Sequence, residues 1–159
     1  MIDKFTNLFL KLNIFAIFSL AALIVYDAFM RYAFNSGSIA LQELEWHLFD
    51  LIIMISIAYT LKERSHVRVD IFYEHYQKRT QILVSIFSLI FFIIPFSMLL
   101  IYFSYDFVMQ SYLQDEISSN PGGLSFRYLI KSVIIVAFCL LIIQSISEIS
   151  KLYKEFRQC

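Results

Sequence analysis

Residues 61–79 read LKERSHVRVDIFYEHYQKR. This hydrophilic stretch organises the chain, because two long apolar segments precede it and two follow it. Its basic side chains are Lys62, Arg64, Arg68, Lys78 and Arg79. Basic residues concentrate in the cytoplasmic loops of membrane proteins. The stretch therefore predicts a central cytoplasmic loop with two membrane helices on either side.

The composition is typical of an integral membrane protein. Of the 159 residues, 59% are hydrophobic and only 16% are charged, and the mean hydropathy is +0.68. A soluble domain of this length contains fewer apolar residues and more charged ones. The formal net charge is zero, so nothing predicts a nucleic-acid partner. The predicted surroundings of the chain are the lipid bilayer and other membrane proteins.

Four apolar runs predict four membrane-spanning helices. We predict an all-α membrane protein with one domain over residues 1–159 and spans at about residues 12–30, 46–61, 82–105 and 128–147. The second helix begins before its span, near Ile39, because the segment Asn35 to Ser38 is typical of a turn that ends in a helix cap. A loop over Asp106 to Arg127 precedes the last helix, and its Pro and Gly residues predict a chain reversal.

Four spans place both termini on the same side of the membrane. Of the 13 lysines and arginines, only Arg31, Arg127 and Lys131 fall on the opposite side. The positive-inside rule therefore predicts that both termini are cytoplasmic. The turn at Asn35 to Ser38 and the reversal at Asn120 to Gly123 are then predicted to face outward.

Some ionisable residues fall inside or beside the predicted spans. Asp27 and Arg31 are four residues apart, which predicts an ion pair on one face of the first helix. Glu43, His47 and Asp50 share a face of the second helix, and this pattern favours a polar stripe at the membrane interface or against a partner. The alternative is a metal or proton site, since imidazole and carboxylate groups both bind metals.

Two further side chains carry specific expectations. Trp46 is typical of the aromatic belt at the level of the lipid headgroups. Pro95 lies in the middle of the third span and has no amide hydrogen, so it frees the carbonyl of Phe91 and predicts a kink. Neighbouring helices or the hydroxyl of Ser97 are expected to compensate for the lost bond.

The sequence lacks the residue patterns by which membrane enzymes bind cofactors or carry out thiol chemistry. Its three histidines provide no paired haem ligands within the spans, and Cys139 and Cys159 form no Cys-x-x-Cys pair. Three glycines are too few and too scattered for a phosphate-binding loop. We therefore predict no catalytic activity, no metal and no cofactor. Because charged groups lie near the helix ends, a solute pathway within this chain alone is not expected either.

Three segments together resemble a known family. The second helix opens with QELEWHLFD at residues 42–50, the central loop contains HVRVD, and NPGGL precedes the fourth helix. The motif residues are His66, Val67, Arg68, Val69, Asp70, Asn120, Pro121, Gly122 and Gly123. In this order and with four spans, they resemble the small membrane subunit of tripartite ATP-independent periplasmic (TRAP) transporters. The resemblance covers essentially the whole chain.

This resemblance implies a role in secondary active uptake. In that family a periplasmic binding protein captures an organic anion, and a large membrane subunit moves it by symport with sodium. The small subunit is implied to be a non-catalytic scaffold for the large subunit in the bacterial inner membrane. The motifs are most similar to the branch that takes up 2-oxo acids and related carboxylates. The outward residues implied to contact these partners are Arg31, Glu43, Glu45, Trp46 and Arg127.

Two other functions stay open on the residues alone. A small self-assembling multidrug-type exporter also has four helices, and it would use the carboxylate of Asp27 to couple export to protons. A small assembly or sensor protein would form no stable complex with a transporter subunit. Replacing Asp27 with Asn distinguishes the exporter, because only an exporter would lose its proton coupling.

Overall fold

The computed structural model describes residues 2–62 and 76–158. Within these ranges there are four long helices and no strands. The helices are α1 (Ile2–Phe34), α2 (Ile39–Lys62), α3 (Lys78–Leu113) and α4 (Arg127–Gln158). All four are long and apolar enough to cross a membrane, which confirms the predicted all-α membrane fold. The motif His66 to Asp70 lies outside the described residues.

The turn between α1 and α2 forms as its residue types predict. Asn35 has a positive φ of 49°, a conformation that asparagine tolerates better than most residues. The hydroxyl of Ser38 accepts a hydrogen bond from the amide of Leu41 at 3.5 Å, so Ser38 caps α2. Helix α2 begins at Ile39, the predicted residue.

The third helix ends later than the sequence suggested. We expected a loop from Asp106 to Arg127, but α3 continues to Leu113, and the loop covers residues 114–126. The rings of Tyr112 and Tyr128 pack edge to face at 5.2 Å between centroids. This contact helps to explain why α3 stays helical beyond its apolar run. How much of each helix lies in the membrane, and which end faces the cytoplasm, stay predictions.

The helices are arranged in the spatial order α1, α2, α4, α3. Helix α4 packs against both α2 and α3, whereas α1 packs mainly against α2. We call the end that carries residues 2 and 158 the termini end, and the end that carries the turn 35–38 and the loop 114–126 the loop end. Because α1 and α3 lie on opposite sides, the described part of the chain forms an open layer of helices.

The main apolar cluster lies towards the termini end. It is formed by Leu61, Ile82, Leu89, Leu141 and Leu152. Many large apolar side chains of α1 and α3 are exposed instead, among them Phe18 and Tyr102, at 71% and 73%. A protein in water does not leave so much apolar surface uncovered. These faces therefore require lipid or another membrane protein around them.

Pro95 is accommodated by a local change of helix type. Residues Leu89–Ile93 form a π-helical turn just before the proline, and the amide of Ile94 donates to the carbonyl of Leu89. The fully buried hydroxyl of Ser97 donates to the carbonyl of Ile93 at 2.7 Å. This bond goes to Ile93 and not to the carbonyl of Phe91 that Pro95 frees, so the predicted compensation by Ser97 is not observed. The irregularity takes the form of a π turn.

A buried polar contact joins α1 to α2. The amide nitrogen of Asn13, which is 4% exposed, donates to the carbonyl of Ile52 at 3.2 Å and to the hydroxyl of Ser56 at 2.6 Å. Between membrane helices such bonds replace the missing hydrophobic driving force. They also set the register of α1 against α2.

We expect the Asn13–Ser56 bond to contribute about 0.6 kcal/mol of coupling energy, the typical value between membrane helices. Unfolding free energies of Asn13→Leu, Ser56→Ala and the double variant in mixed micelles give that coupling. The single variant Asn13→Leu also removes the bond to Ile52 and the buried carbonyl oxygen without a partner, so only the comparison of all three variants isolates the bond to Ser56. Strictly additive effects of the two substitutions would contradict the prediction, and Ser19→Ala on α1 is the control.

Candidate functional site

At the loop end, the start of α2 meets the loop 114–126 around one carboxylate. Oε1 of Glu43 accepts hydrogen bonds from the hydroxyl of Ser118 and from Nδ2 of Asn120, the latter at 3.4 Å. Oε2 of Glu43 accepts from the amide of Leu124 at 2.7 Å. Hydrogen bonds to a charged acceptor are stronger than neutral ones. Glu43 therefore ties α2 to a loop that is 75 residues away at Ser118.

The loop also bonds to itself. The amide of Ser118 donates to the carbonyl of Leu124 at 3.1 Å, and the amide of Gly123 donates to the carbonyl of Asn120 at 3.0 Å. The hydroxyl of Ser118 accepts from the amide of Asn120 at 3.1 Å while it donates to Glu43. These bonds close the Asn120–Gly123 reversal that the sequence predicted.

The structure explains why both residues 122 and 123 of the reversal are glycine. Gly122 has a φ of 81°, in the left-handed region that favours glycine. A Cβ atom on Gly123 would clash with the side chain of Ser118 and would lie 2.7 Å from Oε2 of Glu43. The Glu43 carboxylate can therefore reach the loop only because residue 123 has no side chain.

An ion pair also holds the loop to α4. Glu116 and Lys131 form a salt bridge, and the ammonium group of Lys131 lies 4.1 Å from the ring centre of Phe107. The hydrogen bond from Lys131 is the main cause that lowers the pKa of Glu116, and the charge of Arg127 adds to the effect. The amide of Arg127 donates to the carbonyl of Glu116 at 3.2 Å. Glu116 thus joins the loop to the first turns of α4.

This pair predicts a pH dependence. Because the pKa of Glu116 is lowered from 4.5, its stabilising contribution is complete above pH 4.5 and is lost as the pH falls through the lowered pKa. The melting temperature of the native chain should therefore exceed that of Glu116→Gln at neutral pH, and the difference should shrink in acid. Asp115→Asn is the matched control. A difference that stays constant down to pH 3 would contradict the prediction.

A cleft of about 500 Å³ lies between α2 and α4 at the loop end. Its polar walls include His47 and Asp50 of α2 and Arg127 and Lys131 of α4, and Phe107 of α3 contributes to its apolar surface. The described residues contain no group of three or more His, Cys, Asp or Glu side chains that could hold a metal ion. The metal alternative for the Glu43, His47 and Asp50 stripe therefore gains no support.

The residues predicted to contact partner proteins differ in their exposure and in their contacts within the chain. The predicted ion pair of Arg31 and Asp27 is present, which confirms that expectation. Trp46 is 67% exposed, whereas Glu45 has one buried carboxylate oxygen without a hydrogen-bond partner. Arg127 lines the cleft beside Glu43. Whether these residues contact partner proteins stays a prediction.

The sequence did not reveal that Glu43 and the reversal form one unit. Both lay on the predicted outward side, but nothing in their spacing joined them. Only one signal pointed in that direction: a loop of Ser, Asn and Gly residues has amide and hydroxyl donors to satisfy, and an acidic residue near a helix start can accept from them. The Glu116–Lys131 pair was missed for the same reason, since its two members belong to different elements.

These features define a class of protein. The described residues form four membrane-type helices, and the polar contacts described at the loop end hold a loop in place. No curated protein matches the chain. The sequence does match a family model over residues 20–155, described as tripartite ATP-independent periplasmic transporters, DctQ component. The match covers most of the chain, so this protein belongs to the DctQ family and is a small component of a TRAP transporter.

Proposed function

We propose that this protein is the non-catalytic small subunit that scaffolds the large membrane subunit of a TRAP transporter. The family match over residues 20–155 carries the proposal. The transported solutes would be organic anions delivered by a periplasmic binding protein, with carboxylates such as 2-oxo acids as the first candidates. Sodium-coupled symport in the bacterial inner membrane completes the scheme.

The arrangement of side chains supports a scaffold. Glu43, Glu116 and Lys131 at the loop end are engaged in contacts within the chain, and the carboxylate of Asp27 pairs with Arg31. Groups that bind and release a solute have to be available to it. The exposed apolar side chains of the helices instead suit contact with lipid and with a bigger membrane protein.

Reconstituted uptake tests this function. Proteoliposomes with the large subunit, the binding protein and an inward sodium gradient should take up a labelled carboxylate only when this chain is present. Full uptake without the chain would refute the requirement for it. The variant Asp27→Asn should restore uptake as well as the native chain does, after correction for its amount in the vesicles. Loss of transport in properly inserted Asp27→Asn would favour proton coupling through that residue.

A further inference from the structure

One face of α2 is uncovered in the described structure. Trp46, Phe49 and Ile53 are 67%, 45% and 42% exposed, and Asp50 is exposed as well. Their spacing of three or four residues places them in one stripe along the helix. We call these four residues the α2 stripe. It borders the cleft between α2 and α4, because Trp46 and Asp50 also line that cleft.

The predicted position of Trp46 at the headgroup level places Asp50 below the headgroup layer. It is twelve residues from Lys62, the basic residue at the other end of α2, and therefore about 18 Å from it along the helix axis. It also lies about 6 Å, or one turn, below Trp46, which is typical of the headgroup level. A carboxylate on the lipid-facing surface at this depth is costly. Something other than lipid tails has to cover Asp50 in the membrane.

No cation within the described residues pairs with Asp50. The salt bridges of the described chain that involve its loop end are Asp27–Arg31 and Glu116–Lys131, so the ammonium group of Lys131 is already used. Arg127 interacts electrostatically with Glu43 and Glu116. Arg127 lines the same cleft as Asp50, but the two residues form no salt bridge in the described structure. The counter-charge is therefore expected from outside the chain.

We propose that the α2 stripe binds a transmembrane segment of the large membrane subunit, which carries a basic side chain opposite Asp50. This inference rests on the proposed scaffold function and adds the face by which the scaffold binds. A long lysine or arginine side chain from a neighbouring helix can reach Asp50 within the membrane, whereas a lipid ammonium group would have to descend a helical turn. Trp46, Phe49 and Ile53 supply the apolar contact around the charge pair.

Site-specific photocrosslinking in membranes that contain the complete transporter tests the face. A photoreactive amino acid at Ile53 should give a crosslink to the large subunit. The matched controls Phe103 on α3 and Phe29 on α1, which are 64% and 59% exposed, should give little or none. The inference is overturned if Ile53 gives no protein product or a lipid product only, or if Phe103 gives an equal or larger yield, while the complex is intact.

Charge reversal tests the role of Asp50. Asp50→Lys should lower the amount of large subunit that co-purifies with the chain by about tenfold, because like charges in an interface oppose binding. Asp106→Lys, at an exposed carboxylate of α3, should leave co-purification unchanged, and Asp50→Asn should fall between them. Equal co-purification of Asp50→Lys and the native chain would overturn the charge pair.

The outcomes separate this inference from the proposed function. If the native chain never co-purifies with the large subunit, the scaffold function fails and the inference fails with it. If the native complex forms but Ile53 gives no crosslink, only the assignment of the α2 stripe fails. Asp50→Lys is checked for insertion and folding by its helical circular dichroism. If it does not fold, the crosslink at Ile53 still tests whether the α2 stripe contacts the large subunit, because that variant keeps Asp50.

Discussion

The variant Glu43→Ala is expected to release the loop 114–126 from α2. It removes both acceptor oxygens and leaves the hydroxyl of Ser118 and the amide of Leu124 without their partner. Lost bonds to a charged acceptor are expected to speed amide exchange across the loop by about tenfold or more, since local opening becomes easier. Hydrogen exchange of peptides that cover residues 117–126, followed by mass spectrometry, measures this change.

Two matched variants show whether loss of the Glu43 carboxylate causes the faster amide exchange. Glu43→Gln keeps one acceptor oxygen, so its exchange rate should lie between those of the native chain and Glu43→Ala. Glu45→Ala removes a carboxylate two residues away that makes no hydrogen bond to the loop, and it should leave the loop peptides unchanged. Similar exchange in native protein and Glu43→Ala would mean that the internal bonds of the loop suffice to hold it.

The second large effect is expected at the ion pair of α1. Asp27 is only 3% exposed, whereas the side chain of Arg31 is 46% exposed. Removing the arginine leaves a buried carboxylate without its counter-charge, so Arg31→Ala should destabilise the protein. The expected loss is about 1–2 kcal/mol, less than for a fully buried pair because water screens the exposed partner. Unfolding in mixed micelles gives the value.

A double variant checks the cause of that loss. Asp27→Asn in the Arg31→Ala background removes the unpaired charge and should recover most of the lost stability. Asp27→Asn alone should cost less than Arg31→Ala alone, because the remaining arginine is half exposed to solvent. A double variant that is less stable than Arg31→Ala would show that the unpaired charge of Asp27 does not cause the loss of stability.

Much of the fold follows from local patterns. The start of α2 was predicted from Asn35 to Ser38, because turn and cap residues act on their immediate neighbours. The irregularity at Pro95 is likewise local, since it involves the turn of α3 that precedes the proline. The end of α3 was predicted too early because Asp106 interrupts its apolar run, and a contact with α4 lies beside its last turns. Apolar periodicity could not show that contact.

The sequence by itself determined the class of the protein, its four helices and its family. These follow from the lengths of the apolar runs, from the charges of residues 61–79 and from motifs that are contiguous in the chain. Only the tertiary structure decided which polar side chains have bonding partners within the described chain and which stay exposed. Glu43 accepts hydrogen bonds from the loop, whereas Asp50 stays exposed on the α2 stripe. The reason is physical: a carboxylate finds its partners in space, and helix spacing alone does not say which element will bring a donor to it.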